Sequence, residues 1–307
     1  MLSTKPVVAP GKLLSQAVSL GPVRAVIAGA DHEIALESTV QAVRAGLIDP
    51  VLVGRAARIA ELGEQLGIRP SEFEVIEAAG DEAIAEAAAA RASADDVSMV
   101  VKGHVHTDAF MAALLKPEAR IRTGRRLTHH FHMSVADSEK ALIITDAAVN
   151  IAPDYKTRQA AILSAIEIAR STGIERPKVA ILSATESVLP QMQSSLDAKE
   201  LADWAQQTIH DADVAGPLAF DNAISPAAAS LKGLDHPAAG YADILSVPNI
   251  ETGNALFKMM VYFMGACAAG IVAGGRIPIV LTSRADPPQA RLASIALARV
   301  SGGAKPG

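Results

Sequence analysis

The sequence predicts an α/β protein built on a mainly parallel sheet with crossover helices on both faces. Three observations carry this. Short apolar runs alternate with Ala-rich helical patterns along nearly the whole chain, which is the signature of successive β-α units. Half of the 307 residues are hydrophobic but only 3% are aromatic. The core is therefore built from Ala, Val, Ile and Leu, and side chains this small suit helices packed closely on a parallel sheet. Gly46, Gly67 and Gly173 each follow a helical stretch, where a left-handed residue commonly ends a helix.

The elements follow in order. Apolar runs at 25–27 and 49–53 read as strands, with a helix over 32–46 between them that starts after Asp31 and ends at Gly46. A helix over 55–67 leads to a strand at 74–76. Asp81 and Glu82 open the helix at 80–92, where acids cap free amides and favour the positive helix end. The strand at 99–101 precedes a helix over 107–116 that Thr107 is placed to cap. Strands at 131–135 and 141–145 come next, then a helix over 154–172 begun by Asp154. A strand at 178–182 is followed by helices at 186–193, 196–209 and 225–232. The strand at 244–247 leads through a polar turn into a helix over 252–268. The last strand, 277–281, precedes a helix over 287–299 opened by Pro287 and Pro288, a position where the missing N–H is not needed. Domain borders are expected near 134–140 and between 269 and 276. These give one domain from 1–137 plus 271–307 and a second from 138–270.

Composition excludes several classes. The net charge of −5, from 28 basic and 33 acidic residues, does not make a nucleic-acid footprint. Residues 259–275 are apolar, but too short and too rich in Ala and Gly for a span, and read as a buried helix running into a loop and strand. Pro6 and Pro10 interrupt the N-terminus, so no signal peptide is expected. The single cysteine, Cys267, sits among Ala and Gly and reads as a small core residue, compatible with a reducing compartment. The expected location is cytoplasmic, with no membrane partner.

Chemistry is expected where apolar strands end in polar turns, because ligands of open α/β sheets bind at carboxyl ends of strands. Ser283-Arg284-Ala285-Asp286 follows the last strand and places a hydroxyl, a guanidinium and a carboxylate together, a set suited to an anionic oxygen. Lys102-Gly103 and Thr107 follow the strand at 99–101 and read either as one wall of a ligand cleft or as an ordinary βα loop. Four arginines within 120–126, including Arg122 and Arg125, suit polyanion contact or a solvated loop. His129-His130-Phe131-His132 puts only two imidazoles on one strand face, so no metal is expected; His129 is a candidate cleft contact instead. Asp146, at the end of a strand, is a cleft candidate or a cap. Asp221 reads as a partner for an arginine, a catalytic group or a structural cap.

Several stretches together resemble the phosphate acetyltransferase/phosphate butyryltransferase family. They are Gly216-Pro217-Leu218-Ala219-Phe220-Asp221, Ala242-Asp243-Ile244-Leu245, Pro248-Asn249-Ile250-Glu251-Thr252-Gly253-Asn254 and Leu281-Thr282-Ser283-Arg284. Lys102-Gly103 with Thr107-Asp108, and Arg122-Thr123-Gly124-Arg125 with Leu127-Thr128-His129, look like the butyryltransferase branch.

The resemblance implies a two-domain α/β/α sandwich similar to isocitrate and isopropylmalate dehydrogenases, with its active site in the interdomain cleft. It implies a homodimer that interconverts acyl-CoA plus phosphate with acyl phosphate plus CoA, with coenzyme A as substrate and no cofactor. Ser283 and Arg284 take the family's phosphoryl-binding role. Lys102, Gly103, Thr107, Arg122, Arg125, His129, Asp221 and Asn254 become candidate substrate contacts. The acetyltransferase branch carries a carboxylate base seven residues after the serine. Here that position is Ala290, and Asp286 is the candidate in its place. Two alternatives are a CoA- or acyl-phosphate-binding protein with little catalysis and a dehydrogenase of the related fold. The chain lacks the G-x-G-x-x-G turn after a strand and the paired aspartates that the latter would need.

Overall fold

A computed structural model describes residues 2–69, 72–136, 138, 140–283 and 286–302. The chain divides into two compact units. The outer unit holds Val7–Arg125 and Ala269–Gly307, and the central unit holds Met1–Pro6 and Arg126–Ala268.

The outer unit begins with α1 (Gly11–Ser19) and alternates β1 (Val23–Ala28), α2 (Glu33–Arg44), β2 (Ile48–Gly54), α3 (Ala56–Gln65), β3 (Glu74–Glu77), α4 (Asp81–Ala92), β4 (Val97–Lys102) and α5 (Thr107–Leu115). After the central unit the chain returns through β10 (Cys267–Ala273), β11 (Ile279–Val280) and α11 (Pro288–Ser301). The strands lie in the order β3-β2-β1-β4-β11-β10. The first five are parallel, and β10 runs antiparallel to β11. Helix α11 packs on α1, α2, β4 and β11, while α4 packs on α5, β1 and β4. Its core matches the composition: Val26, Ile27, Val51, Leu52, Val100, Ile279, Ile295 and Leu297 are all at most 2% exposed. Each such burial contributes roughly 1.5–3 kcal/mol.

The central unit starts with a hairpin, β5 (Thr128–Ser134) antiparallel to β6 (Leu142–Thr145). It continues through α6 (Tyr155–Ser171), β7 (Lys178–Leu182), α7 (Gln193–Thr208), β8 (Asp213–Leu218), α8 (Phe220–Ile224), α9 (Pro226–Leu231), β9 (Ile244–Ser246) and α10 (Ile250–Met264). The strand order is β5-β6-β9-β7-β8, parallel from β6 onward. Asp154 caps α6 by accepting from the Thr157 amide at 2.8 Å, and Asn249 caps α10 by accepting from the Thr252 amide at 3.0 Å. Gly253 lets the first turn of α10 lie against the loop after β6: a Cβ there would stand 2.8 Å from that of Ala147.

The structure corrects several expectations. The border expected near 134–140 lies between β5 and β6, which pair antiparallel inside one unit, and the units divide at 6/7, 125/126 and 268/269. The helix expected over 252–268 ends at Met264, because Gly265 takes the left-handed conformation (φ 64°), and the chain then re-enters a sheet as β10. No helix forms at 186–193; α7 starts only at Gln193. Asp31 does not cap α2, whose first position follows His32. Thr107 does not cap α5 either: the capping position is His106, whose amide donates to Asp81 Oδ2 at 2.7 Å. Among the described residues no helix is long and apolar enough to cross a membrane.

Candidate functional site

In the outer unit the chain runs from β1 outward to β2 and β3, and β4 then lies on the other side of β1. The loops leaving β1 and β4 therefore flank a point where the strand order reverses, a place where ligands bind in open α/β sheets. Here the two loops are joined. The Gly103 amide donates to the Ala28 carbonyl at 2.8 Å and the His104 amide to the Gly29 carbonyl at 3.1 Å. Both glycines are required by this approach. A Cβ on Gly103 would lie 2.7 Å from the Ala28 oxygen, and one on Gly29 (φ 76°) 2.6 Å from the His104 oxygen. The rings of His32 and His104 stack across the junction, centroids 3.8 Å apart. Beside them Arg55 Nε donates to Asp31 Oδ2 at 2.6 Å.

The next strand end, that of β11, carries the residues the sequence singled out. Ser283 is exposed, and its amide donates to Asp286 Oδ2 at 2.6 Å. Burial pushes the Asp286 carboxyl above its ordinary value; the Ser283 amide, Arg291 and Lys102 oppose the shift. Lys102 is buried at the end of β4, and its Nζ donates to the carbonyl of Val105 at 3.2 Å. Thr282 Oγ1 donates to the Lys102 carbonyl at 2.9 Å, so the ends of β4 and β11 are tied directly. Arg291, in the first turns of α11 and only 6% exposed, donates from Nη2 to the Ser283 carbonyl at 2.7 Å and from Nε to the Asp286 carbonyl at 3.1 Å. Its Nη1 reaches Thr282 Oγ1 at 3.4 Å. A hollow of about 10 Å³ lies beneath, lined by Lys102, Gly103, Thr282 and Arg291 among others. That is room for about one water. Arg284 lies outside the described residues.

The structure thus brings Lys102, Gly103, Ser283 and Asp286 together. Thr107 opens α5 one loop away and is exposed. Arg122 and Arg125 are exposed in the stretch after α5, which is held by a bridge from Arg122 to Gly275 and by the Thr123 hydroxyl donating to the Gly274 carbonyl at 2.8 Å.

The other candidates belong to the central unit. His129 is buried on β5, its ring edge-on to Phe131 at 4.3 Å, which stacks on Phe257 at 4.2 Å. Burial holds its imidazole well below the ordinary value. The neighbouring Asp146 carboxylate accepts from the amides of His129, Ala148 and Val149, each at 3.0 Å, and from Asn150 Nδ2 at 2.6 Å. So Asp146 organises the loop after β6. Asn254 is half-buried in α10, next to the Gly253 contact with that loop. Asp221 is exposed in α8, and its side chain does not cap that helix. Among the described residues no group of three or more His, Cys, Asp or Glu could hold a metal ion.

Sequence reasoning missed Arg291 and His32, and gave Thr282 and His104 no role of their own. Arg291 stands inside an Ala- and Leu-rich helix most of whose residues are buried. A charge among those apolar positions, shortly after the Ser283–Asp286 turn, is the signal that could have found it.

Chemically, the β11 end offers a hydroxyl and a partly buried carboxyl on one short turn, next to a buried ammonium. Such a set can donate to an anionic oxygen and accept a proton nearby. Residues 82–299 match the family described as phosphate acetyl/butaryl transferase. A phosphate acetyltransferase of Rhizobium meliloti is 38% identical over 288 residues, 94% of this chain and 91% of that protein. A phosphate butyryltransferase of Clostridium acetobutylicum is 35% identical over 283 residues, 92% of this chain and 94% of that protein. The crystal structure of a branched-chain phosphotransacylase from Enterococcus faecalis V583 superposes with a TM-score of 0.79 at 27% identity, covering 92% of this chain and 99% of that one. The chain belongs to the phosphate acetyl/butyryl transferase family.

Proposed function

We propose that this protein moves an acetyl or short acyl group between coenzyme A and inorganic phosphate: acyl-CoA + phosphate ⇌ acyl phosphate + CoA. The observation that carries the reading is the Ser283–Asp286 turn at the end of β11, standing beside Lys102 in a chain of this family. In the forward direction a phosphate oxygen attacks the thioester carbonyl. The C–O bond forms, the C–S bond breaks, and CoA leaves as a thiolate that takes up a proton. In reverse the thiol must lose that proton as phosphate departs.

The Ser283 hydroxyl and the Arg284 charge serve the phosphoryl and carbonyl oxygens, where developing charge meets fixed donors. Asp286 exchanges the thiol proton; its upward shift from burial suits a base working nearer neutrality. Ala290, buried in α11, offers no group to accept a proton at the position where the acetyltransferase branch holds a carboxylate. Lys102, Gly103 and Thr107 line the phosphate side. Arg122 and Arg125, exposed and cationic, serve the phosphates of CoA. His129, Asp221 and Asn254 are the contacts assigned to the central unit. Coenzyme A is a substrate, and no resident cofactor is assigned.

We assign the working form to a homodimer in the cytoplasm. Support for the dimer comes from α10, in which only Gly253 is buried, while Met259, Tyr262, Phe263 and Met264 are 45–54% exposed. A contiguous apolar surface of this kind marks an interaction face. Purified protein incubated with acetyl-, butyryl- and branched acyl-CoA should release free thiol only when phosphate is present. Absence of release with every acyl chain would defeat the proposal.

A further inference from the structure

We infer that Arg291 is a positioning residue for the acyl-transfer site: its guanidinium holds the turn that presents Ser283 and Asp286. The role rests on the transferase reading above. One planar fork addresses three points, the Thr282 hydroxyl and the carbonyls of Ser283 and Asp286. The turn joins a strand of only two residues, β11, to α11.

The identity of the residue matters. A buried guanidinium is costly to desolvate, and an aliphatic side chain would fill the same space at lower cost. Burial does depress the Arg291 pKa, with Asp286 opposing the shift. A charge kept at this position is explained by what its fork does. Lysine could reach one of these acceptors, but its compact ammonium cannot span all three in fixed directions. The network also extends past the turn, because the same Thr282 hydroxyl donates to the Lys102 carbonyl. Arg291 thereby links the two strand ends that carry the candidate site. Its fork bonds the backbone carbonyls of Ser283 and Asp286, so the role assigned to it is to act through them as a positioning residue.

The test compares wild type, Arg291→Lys and Arg291→Met in phosphate-dependent thiol release, with amide hydrogen exchange of the peptide covering 281–288. Both variants should lose turnover, Arg291→Met by about 100-fold in kcat, the scale expected when a reacting group is displaced by about 1 Å. KM for acyl-CoA should stay close to wild type, and exchange should accelerate only in that peptide. Arg291→Lys should fall between. Should Arg291→Met fail to fold, Arg291→Lys with the exchange measurement decides alone. Wild-type kcat in a folded variant, or a uniform rise in KM without loss of kcat, would overturn the positioning role and leave the transferase reading standing. An inactive wild type would instead sink the transferase reading, and this role with it.

Discussion

The amide of Ser283 donates to the carboxylate of Asp286 at 2.6 Å, so the hydroxyl-bearing and carboxyl-bearing residues of the site share one turn. Their chemistry is therefore coupled: whatever protonates Asp286 also changes how firmly the Ser283 backbone is held.

This coupling gives a pH dependence. Burial raises the Asp286 pKa above its ordinary value of 3.8. The native carboxyl thus binds a proton more tightly than the unfolded one, and its contribution to stability falls as pH rises from near 3.8 through the raised value. Activity runs the other way, because the base must be ionised. We expect an acid limb in kcat/KM above the ordinary aspartate range, lost in Asp286→Asn. An unchanged limb in that variant would remove Asp286 from the proton transfer.

Buried histidines set the acid stability. Burial lowers the His132 pKa to about 4, and His129 is depressed in the same way. Each is neutral when folded and protonates readily once unfolded. Their stabilising contribution is complete above the unfolded value near 6.5 and is lost as pH falls toward 4. The loss is about 1.4 kcal/mol per pH unit for each group. Urea titrations at pH 7 and pH 5 should show the fall, and His132→Leu should shrink it. Equal slopes for wild type and variant would contradict this assignment.

The junction of the β1 and β4 loops leaves no room for a side chain. Gly103→Ala would bring a methyl within 2.7 Å of the Ala28 oxygen and 2.8 Å of the Gly29 oxygen. A loss of about 1–3 kcal/mol in unfolding free energy is expected, the usual scale of overpacking. Denaturant unfolding of that variant at wild-type stability would show that the loops part easily.

Arg158 in α6 is 3% exposed, and its Nε, Nη1 and Nη2 have no hydrogen-bond partner among the described residues. Its ion pair with Asp197 is long, 3.6 Å. Exchange of such a group for an aliphatic one is often neutral or stabilising, so Arg158→Met should raise stability by about 1 kcal/mol. A lowered thermal midpoint would contradict this reading of the guanidinium.

Much of this was legible in the sequence, and what escaped has physical causes. The parallel strands β1, β2, β4, β7 and β9 announce themselves through β-branched runs between helical patterns. Strand β10, Cys-Ala-Ala-Gly-Ile-Val-Ala, has few β-branched residues and continues an apolar helix without a polar break, so only Gly265 marks the border. Strand β8 contains Gly216 and Pro217, residues that weaken a strand pattern. Helix α1 lies between Pro10 and Gly21, where turn residues mask nine helical positions. At the site, Ser283 and Asp286 were readable because they follow an apolar strand directly. Arg291 was not, because its role depends on carbonyls that only the folded turn brings within its reach.

The measurement that bears most directly on the site is steady-state kinetics of Ser283→Ala in phosphate-dependent CoA release, alongside thermal unfolding. Ser283 is exposed, so the fold should persist with an unchanged melting temperature. We predict a fall in kcat of about 100- to 1000-fold, the usual consequence of removing one donor to a developing oxyanion. Wild-type turnover in the folded Ser283→Ala protein would contradict the placement of the chemistry at the end of β11.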